Sequence, residues 1–147
     1  MKIVYSKDLG GVTEDMLTGF FVGWPNPPDS AAHMRILKCS YCAFVAVDSG
    51  CNRVVGFVNA ISDGVLSAYI PLLEVLPEYQ GRGVGSELVR RIVEELNCLY
   101  MIDIAHDEEL KPYYARFGAL PGFSSVFRNY AAQSGSSPTT TPTTPSA

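Results

Sequence analysis

No run of apolar residues in this chain is long enough to span a bilayer, and no cationic start leads into an apolar signal segment. A cytoplasmic protein with no membrane partner is expected. Basic residues are also scarce: 11 Lys and Arg stand against 15 Asp and Glu, a net charge of −4. A phosphate backbone demands a basic face, so nucleic acid is not expected as a partner. An anionic small ligand stays open, because a few amides and one arginine are enough to bind it. Cysteine is limited to Cys39, Cys42, Cys51 and Cys98. Cys39 and Cys42 have the Cys-x-x-Cys spacing of a redox pair or half a zinc site, but no second half follows. Free, buried thiols and no metal are expected. No internal repeat is present.

What remains suits one domain with a real core, at 147 residues, 47% hydrophobic and 18% charged. The chain is organised around Leu72 to Leu96, where an apolar strand feeds a glycine-rich turn and the turn opens an amphipathic helix. Gly81, Gly83 and Gly85 remove Cβ atoms and let an external group approach the backbone. The N–H groups of Arg82, Gly83, Val84, Gly85 and Ser86 fall in the first helical turn, where no intrahelical acceptor exists. Unpaired donors, the positive end of the helix dipole and the Arg82 charge predict a site for a pyrophosphate-bearing ligand.

The rest of the chain falls into short elements. Lys2 to Tyr5 reads as a strand, and Thr13 can cap a helix with an apolar stripe of Met16, Leu17, Phe20 and Phe21. The Pro-rich stretch 23–28 is a loop, and a second helix starts at Asp29 or Ser30. Tyr41 to Val47 and Arg53 to Ile61 form a hairpin, followed by the central strand Ser67 to Leu76. Pro71 inside that strand predicts a bulge, which turns backbone groups out of the ladder. Cys98 to Ile104 is the next strand, parallel to the central one by the right-handed crossover rule. Asp107 to Phe117 is a short helix, and Phe123 to Tyr130 gives one or two final strands. Residues 132–147 are Ser, Thr and Pro rich and are expected to form a disordered tail behind a domain of residues 1–131.

Three readings of the glycine loop compete. It could serve only as a tight turn. A dinucleotide fold would use Asp103 as its ribose-binding acid, but it needs Gly-x-Gly-x-x-Gly rather than Gly-x-Gly-x-Gly. A phosphate loop of the Walker type is excluded because the Lys-Ser/Thr after the last glycine is absent.

Gln80-Gly81-Arg82-Gly83-Val84-Gly85 resembles the acyl-CoA motif of the GNAT superfamily of acyl-CoA-dependent N-acyltransferases, Q/R-x-x-G-x-G/A. Leu73 to Tyr79 looks like that family's fourth strand and its lead-in, and Pro112 to Gly118 is similar to its second, tyrosine-bearing motif. The resemblance covers residues 1–130. It departs from the family pattern at Asp107, Leu110 and Ala119, which bears on the acceptor rather than on the cofactor.

The resemblance implies an α/β fold with a mixed central sheet of six to seven strands, about four helices, and splayed parallel strands 4 and 5 at the cofactor site. It implies acetyl-CoA as co-substrate, with Leu73 and Val75 backbone pairing the pantetheine arm and the Val75 N–H facing the thioester oxygen. Gln80, Gly81, Arg82, Gly83, Val84, Gly85 and Ser86 would hold the pyrophosphate. A primary amine, expected to be a small molecule, would attack the thioester directly. Tyr114 matches the general acid that protonates the departing thiolate; its other reading is a core aromatic. Glu74 is a candidate general base, or a half-exposed strand residue. Asp63 is a second candidate, as base or ammonium anchor, ahead of Tyr69 and His106. Trp24 is expected to line the acceptor pocket, with Phe20 and Phe21 read first as core. A non-catalytic acyl-CoA-binding module and a protein N-acetyltransferase are the alternatives. Dimerisation through late strands in relatives leaves a homodimer open.

Overall fold

The computed structural model describes residues 2–136. Five strands form one sheet: β1 (Ile3–Ser6), β2 (Cys42–Asp48), β3 (Arg53–Ser62), β4 (Ser67–Val75) and β5 (Met101–Asp103). Their order in the sheet is their order in the chain. The first four pair antiparallel, and β5 runs parallel to β4, as the crossover rule requires. The α-helices are α1 (Ser30–Cys39), α2 (Val84–Glu95) and α3 (Lys111–Ala115).

Local chemistry explains the helix boundaries. The Asp29 carboxylate accepts from the Ala32 amide at 2.7 Å and caps α1. Gly83, at φ +83°, turns the chain into α2. Pro112 sits in the first turn of α3, where its missing N–H is harmless, and Gly118 at φ +85° follows the helix end.

The two faces of the sheet are covered differently. A Cβ on Gly56 would lie 3.1 Å from Leu88 and 3.2 Å from Val84, so α2 packs tightly over β3 on one face. Phe57, one residue on, points to the other face and meets Phe20 and His33. Val45, Val54, Val55, Val58, Leu88 and Ile92 are buried between these layers.

The predicted count of six to seven strands and about four helices is corrected to five strands and three α-helices among the described residues. Thr13 to Phe21 makes only a 3-10 turn, Glu14–Leu17, with no side-chain bond at its Thr13 cap. Gly19 and Phe21 follow at φ +87° and +61°, which no helix accepts. The apolar stripe is nevertheless buried, as Met16, Leu17, Phe20 and Phe21 all reach the core. The second correction is Phe123 to Tyr130, which joins no ladder. Phe123 and Phe127 stand fully exposed there.

Three thiols also depart from expectation. Cys42 is buried within β2, whereas Cys39, Cys51 and Cys98 are exposed; all four are free. Of the expected tail, Gln133 and Gly135 dock onto the body. The Gln133 Oε1 accepts from the Asn26 amide at 3.0 Å, and Arg35 donates to the Gly135 carbonyl at 3.3 Å. Residues 137–147 of that tail lie outside the described residues.

Candidate active site

The site begins at the bulge. The β3–β4 register shifts between Asn59 and Ile61, opposite Ile70 and Pro71, so the proline occupies the irregular position. Pairing of β4 with β5 covers only Ser67 to Tyr69. Beyond Pro71, β4 therefore continues with one edge against β3 and the other open. The Leu76 amide donates to the Val55 carbonyl at 2.9 Å. By the alternation of an antiparallel ladder, Leu72 and Glu74 also turn their amides to β3, and Leu73 and Val75 turn theirs to the open edge.

The Gln80 Nε2 donates to the Val75 carbonyl at 2.9 Å, tying the glycine loop back to β4. Two further contacts hold the lead-in. Tyr79 donates its hydroxyl to Asp48 at 3.0 Å, and Arg53 pairs with Glu78 at 3.0 Å. The Asp48 bond pushes the Tyr79 phenol up to about 12. Sequence reasoning missed both anchors, because their partners lie 31 and 25 residues away.

Past Gln80, Gly81 and Gly83 adopt φ +71° and +83°, with nothing within 4 Å of a built Cβ at either. The first intrahelical acceptor is the Gly83 carbonyl, which takes the Glu87 amide at 3.0 Å. The Val84, Gly85 and Ser86 amides thus have no helical partner. Arg82 sits 5.9 Å from the Tyr79 ring centroid. An open, left-handed glycine turn ahead of free amides fits a diphosphate.

A cavity of about 1030 Å³ is walled by Trp24, Leu73, Glu74, Gln80, His106 and Tyr114 among others. A smaller apolar cavity of about 180 Å³ lies against α2, lined by Val89, Val93 and Phe117. Ile70, Leu73, Ile104 and Tyr114 line both, and so mark the passage where β4 and β5 diverge.

Tyr114 is 7% exposed, T-shaped to Tyr113 and stacked on His106 at 4.7 Å. Burial, with the neighbouring Tyr113, pushes its phenol up to about 12. Glu74, the candidate base, has its carboxylate engaged by backbone. Its two oxygens accept from the Phe21 amide at 2.8 Å and the Val22 amide at 3.2 Å. Trp24 lines the cavity and packs on Phe21 at 5.1 Å. Asp63 lies outside that wall. Its Oδ1 accepts from Val65, Leu66 and Ser67 within the β3–β4 turn, which holds the carboxyl below its usual range. Tyr69 and His106 do reach the wall, whereas His33 is buried in the core. The cavity also takes in Ser124 to Tyr130 in part, read from sequence as a late strand, and Gln133, read as part of the tail.

A mixed sheet that opens at a parallel edge beside a helix N-terminus is the arrangement that the GNAT resemblance implies. A family profile described as Acetyltransferase (GNAT) family matches residues 10–119, and the chain belongs to that family. Its structure is similar to that of a provisionally assigned acetyltransferase from Deinococcus radiodurans R1, with 43% identity, coverage of 90% of this chain and 92% of that one, and a TM-score of 0.87. A GNAT-family protein of Xanthomonas campestris pv. campestris shares 22% identity over 91% and 98% of the two chains, with a TM-score of 0.71. The glucosamine-6-phosphate N-acetyltransferase of Arabidopsis thaliana shares the fold alone, with 9% identity over 88% and 99% and a TM-score of 0.68. No curated protein gives a significant sequence match. Among the described residues, no helix is long and apolar enough to cross a membrane.

Proposed function

We propose that this chain is a cytoplasmic N-acetyltransferase that moves an acetyl group from acetyl-CoA to the primary amine of a small molecule. The observation that carries the reading is the open edge of β4, which ends at the N-terminus of α2 and faces Tyr114 across the divergence from β5. Acetyl-CoA supplies an activated thioester. The Leu73 and Val75 main chain would pair its pantetheine arm as an added strand, and the amides of Gly81 to Ser86 would take its diphosphate. Gln80 fixes the loop through the Val75 carbonyl, and the Arg82 charge lies beside the same amides.

The amine, once its ammonium has released a proton through the open cavity to water, attacks the thioester carbonyl carbon. The Val75 N–H donates to the carbonyl oxygen as negative charge develops there. The C–N bond forms, the C–S bond breaks, Tyr114 donates its proton to the departing thiolate, and the nitrogen releases its remaining excess proton to water, which reprotonates the tyrosinate. A phenol held near 12 is fully protonated at neutral pH and available for this step. Both reactants are held at once, so positioning supplies much of the rate. Trp24 in the cavity wall, backed by the buried Phe21 ring, suits an apolar or arylalkyl amine.

A homodimer belongs to this reading. Strand β5 is the outermost strand, and the exposed phenylalanines that follow it are surface that a second copy would cover.

The test is thiol release from acetyl-CoA across a panel of amines, with wild type and Tyr114→Phe. Turnover with at least one amine is expected, with kcat lowered roughly 100-fold or more in Tyr114→Phe. Binding of acetyl-CoA without thiol release from any amine would make the chain a binding module, and full turnover in Tyr114→Phe would remove the acid assignment.

A further inference from the structure

The wall that faces the amine side is a short loop, and its backbone is unusual. Gly19, Phe21 and Gly23 take φ +87°, +61° and +81°, so left-handed residues alternate along it. Glycine accepts this freely, but phenylalanine does not, and such a conformation persists only where surrounding structure imposes it. Phe21 is also 3% exposed, with its ring against Trp24, His33 and Phe57.

Two side chains impose the conformation, and both come from the sheet. The Glu74 carboxylate spans the loop, one oxygen accepting from the Phe21 amide and the other from the Val22 amide. Arg53 holds the preceding residue, donating to the Thr18 carbonyl at 3.3 Å while its other nitrogen pairs with Glu78. A side chain at Gly19 would lie 2.9 Å from the Arg53 guanidinium, so the chain passes directly over it. Val22 and Trp24, on either side of Gly23, face the large cavity together with Glu74.

We propose that Glu74 is a positioning residue, which holds Val22 and Trp24 against the acceptor cavity by clamping the Phe21 and Val22 amides, rather than the general base. Two charge-assisted bonds to consecutive amides fix the carboxylate's orientation and occupy it with the loop. A base needs an oxygen aimed at the incoming ammonium. Arg53 extends the same clamp toward the cofactor side, because its Glu78 partner precedes the glycine turn. The acceptor wall and the cofactor loop are therefore fastened to one strand pair.

The kinetic part of the test rests on the acyltransfer reading, whereas the structural part does not. Trp24 is the chain's single tryptophan, so its fluorescence reports this loop alone. In Glu74→Ala, acrylamide quenching of Trp24 should rise, and hydrogen exchange of the Phe21 and Val22 amides should quicken at least tenfold. With an active amine, KM for that amine should rise about tenfold, with KM for acetyl-CoA unchanged. Glu74→Gln keeps one oxygen acceptor, so it should fall between wild type and Glu74→Ala in exchange, and the pH dependence of kcat should keep its shape. Unchanged exchange at both amides in Glu74→Ala overturns the clamp. Loss of a pH limb in Glu74→Gln with kcat down a hundredfold overturns the exclusion of a base. If wild type turns over no amine, quenching and exchange still decide the clamp. If Glu74→Ala does not fold, Glu74→Gln decides it by the same exchange measurement.

Discussion

His33 shows how much one buried side chain can govern. It is 1% exposed, enclosed by Phe20, Phe21 and Phe57, and neither ring nitrogen makes a hydrogen bond of regular geometry. Burial pulls its imidazole down to about 4, offset in part by the nearby Leu17 carbonyl. The native ring is thus neutral where the unfolded ring, at an ordinary 6.5, already binds a proton. The unfolded state gains protons first on acidification, so the penalty is absent above pH 6.5. It grows as pH falls and reaches about 3 kcal/mol once pH passes below 4. Urea midpoints should therefore drop between pH 7 and pH 4.5 in wild type, and His33→Leu should flatten that dependence. A wild-type midpoint that stays constant over this range would show that His33 is charged in the fold.

At the scale of elements, the glycine turn and α2 carry the strongest local information. The Gly81 and Gly83 conformations cannot be adopted cheaply by other residues, and the apolar positions of α2 repeat at helical spacing, so both were legible from the chain alone. The bulge at Pro71 was legible for the same reason, because proline withdraws a ladder donor wherever it stands. The turn after Leu17 was not legible. Its left-handed Phe21 depends on Glu74, 53 residues away, and a helical apolar stripe cannot encode that contact. The final segment was misread by the same route, since strand propensity supplies no partner strand. The anchors on Glu78 and Tyr79 were invisible until the hairpin placed Arg53 and Asp48 beside them. Gly83→Glu tests the legible part. It adds a strained Cβ and a negative charge where the amides would meet a diphosphate. Acetyl-CoA affinity measured by calorimetry should fall at least tenfold; an unchanged affinity would place the coenzyme elsewhere.

For the whole molecule, the exposed face beyond α3 governs solution behaviour. Leu120 is 91% exposed, and Phe123 and Phe127 are fully so, in the segment that follows α3. Large apolar side chains left exposed within one short segment point to association as the expectation to test. Sedimentation should give about twice the 16.0 kDa of one chain. The double variant Phe123→Ser/Phe127→Ser should shift it toward the single-chain mass, while leaving the urea midpoint within about 0.5 kcal/mol because neither ring is buried in the monomer. A wild-type monomer would assign this surface to another partner.

The sheet runs in unbroken chain order, and that has a kinetic corollary. β2, β3 and β4 meander through short reversals, so each closes against the one just made at little entropic expense. β1 and β5, the two edge strands, each pair only across a connection that carries a helix, α1 and α2 respectively. The gap through which a coenzyme would thread is hence bounded by one of the two late pairings, and an occupant there should slow unraveling from that end of the sheet most.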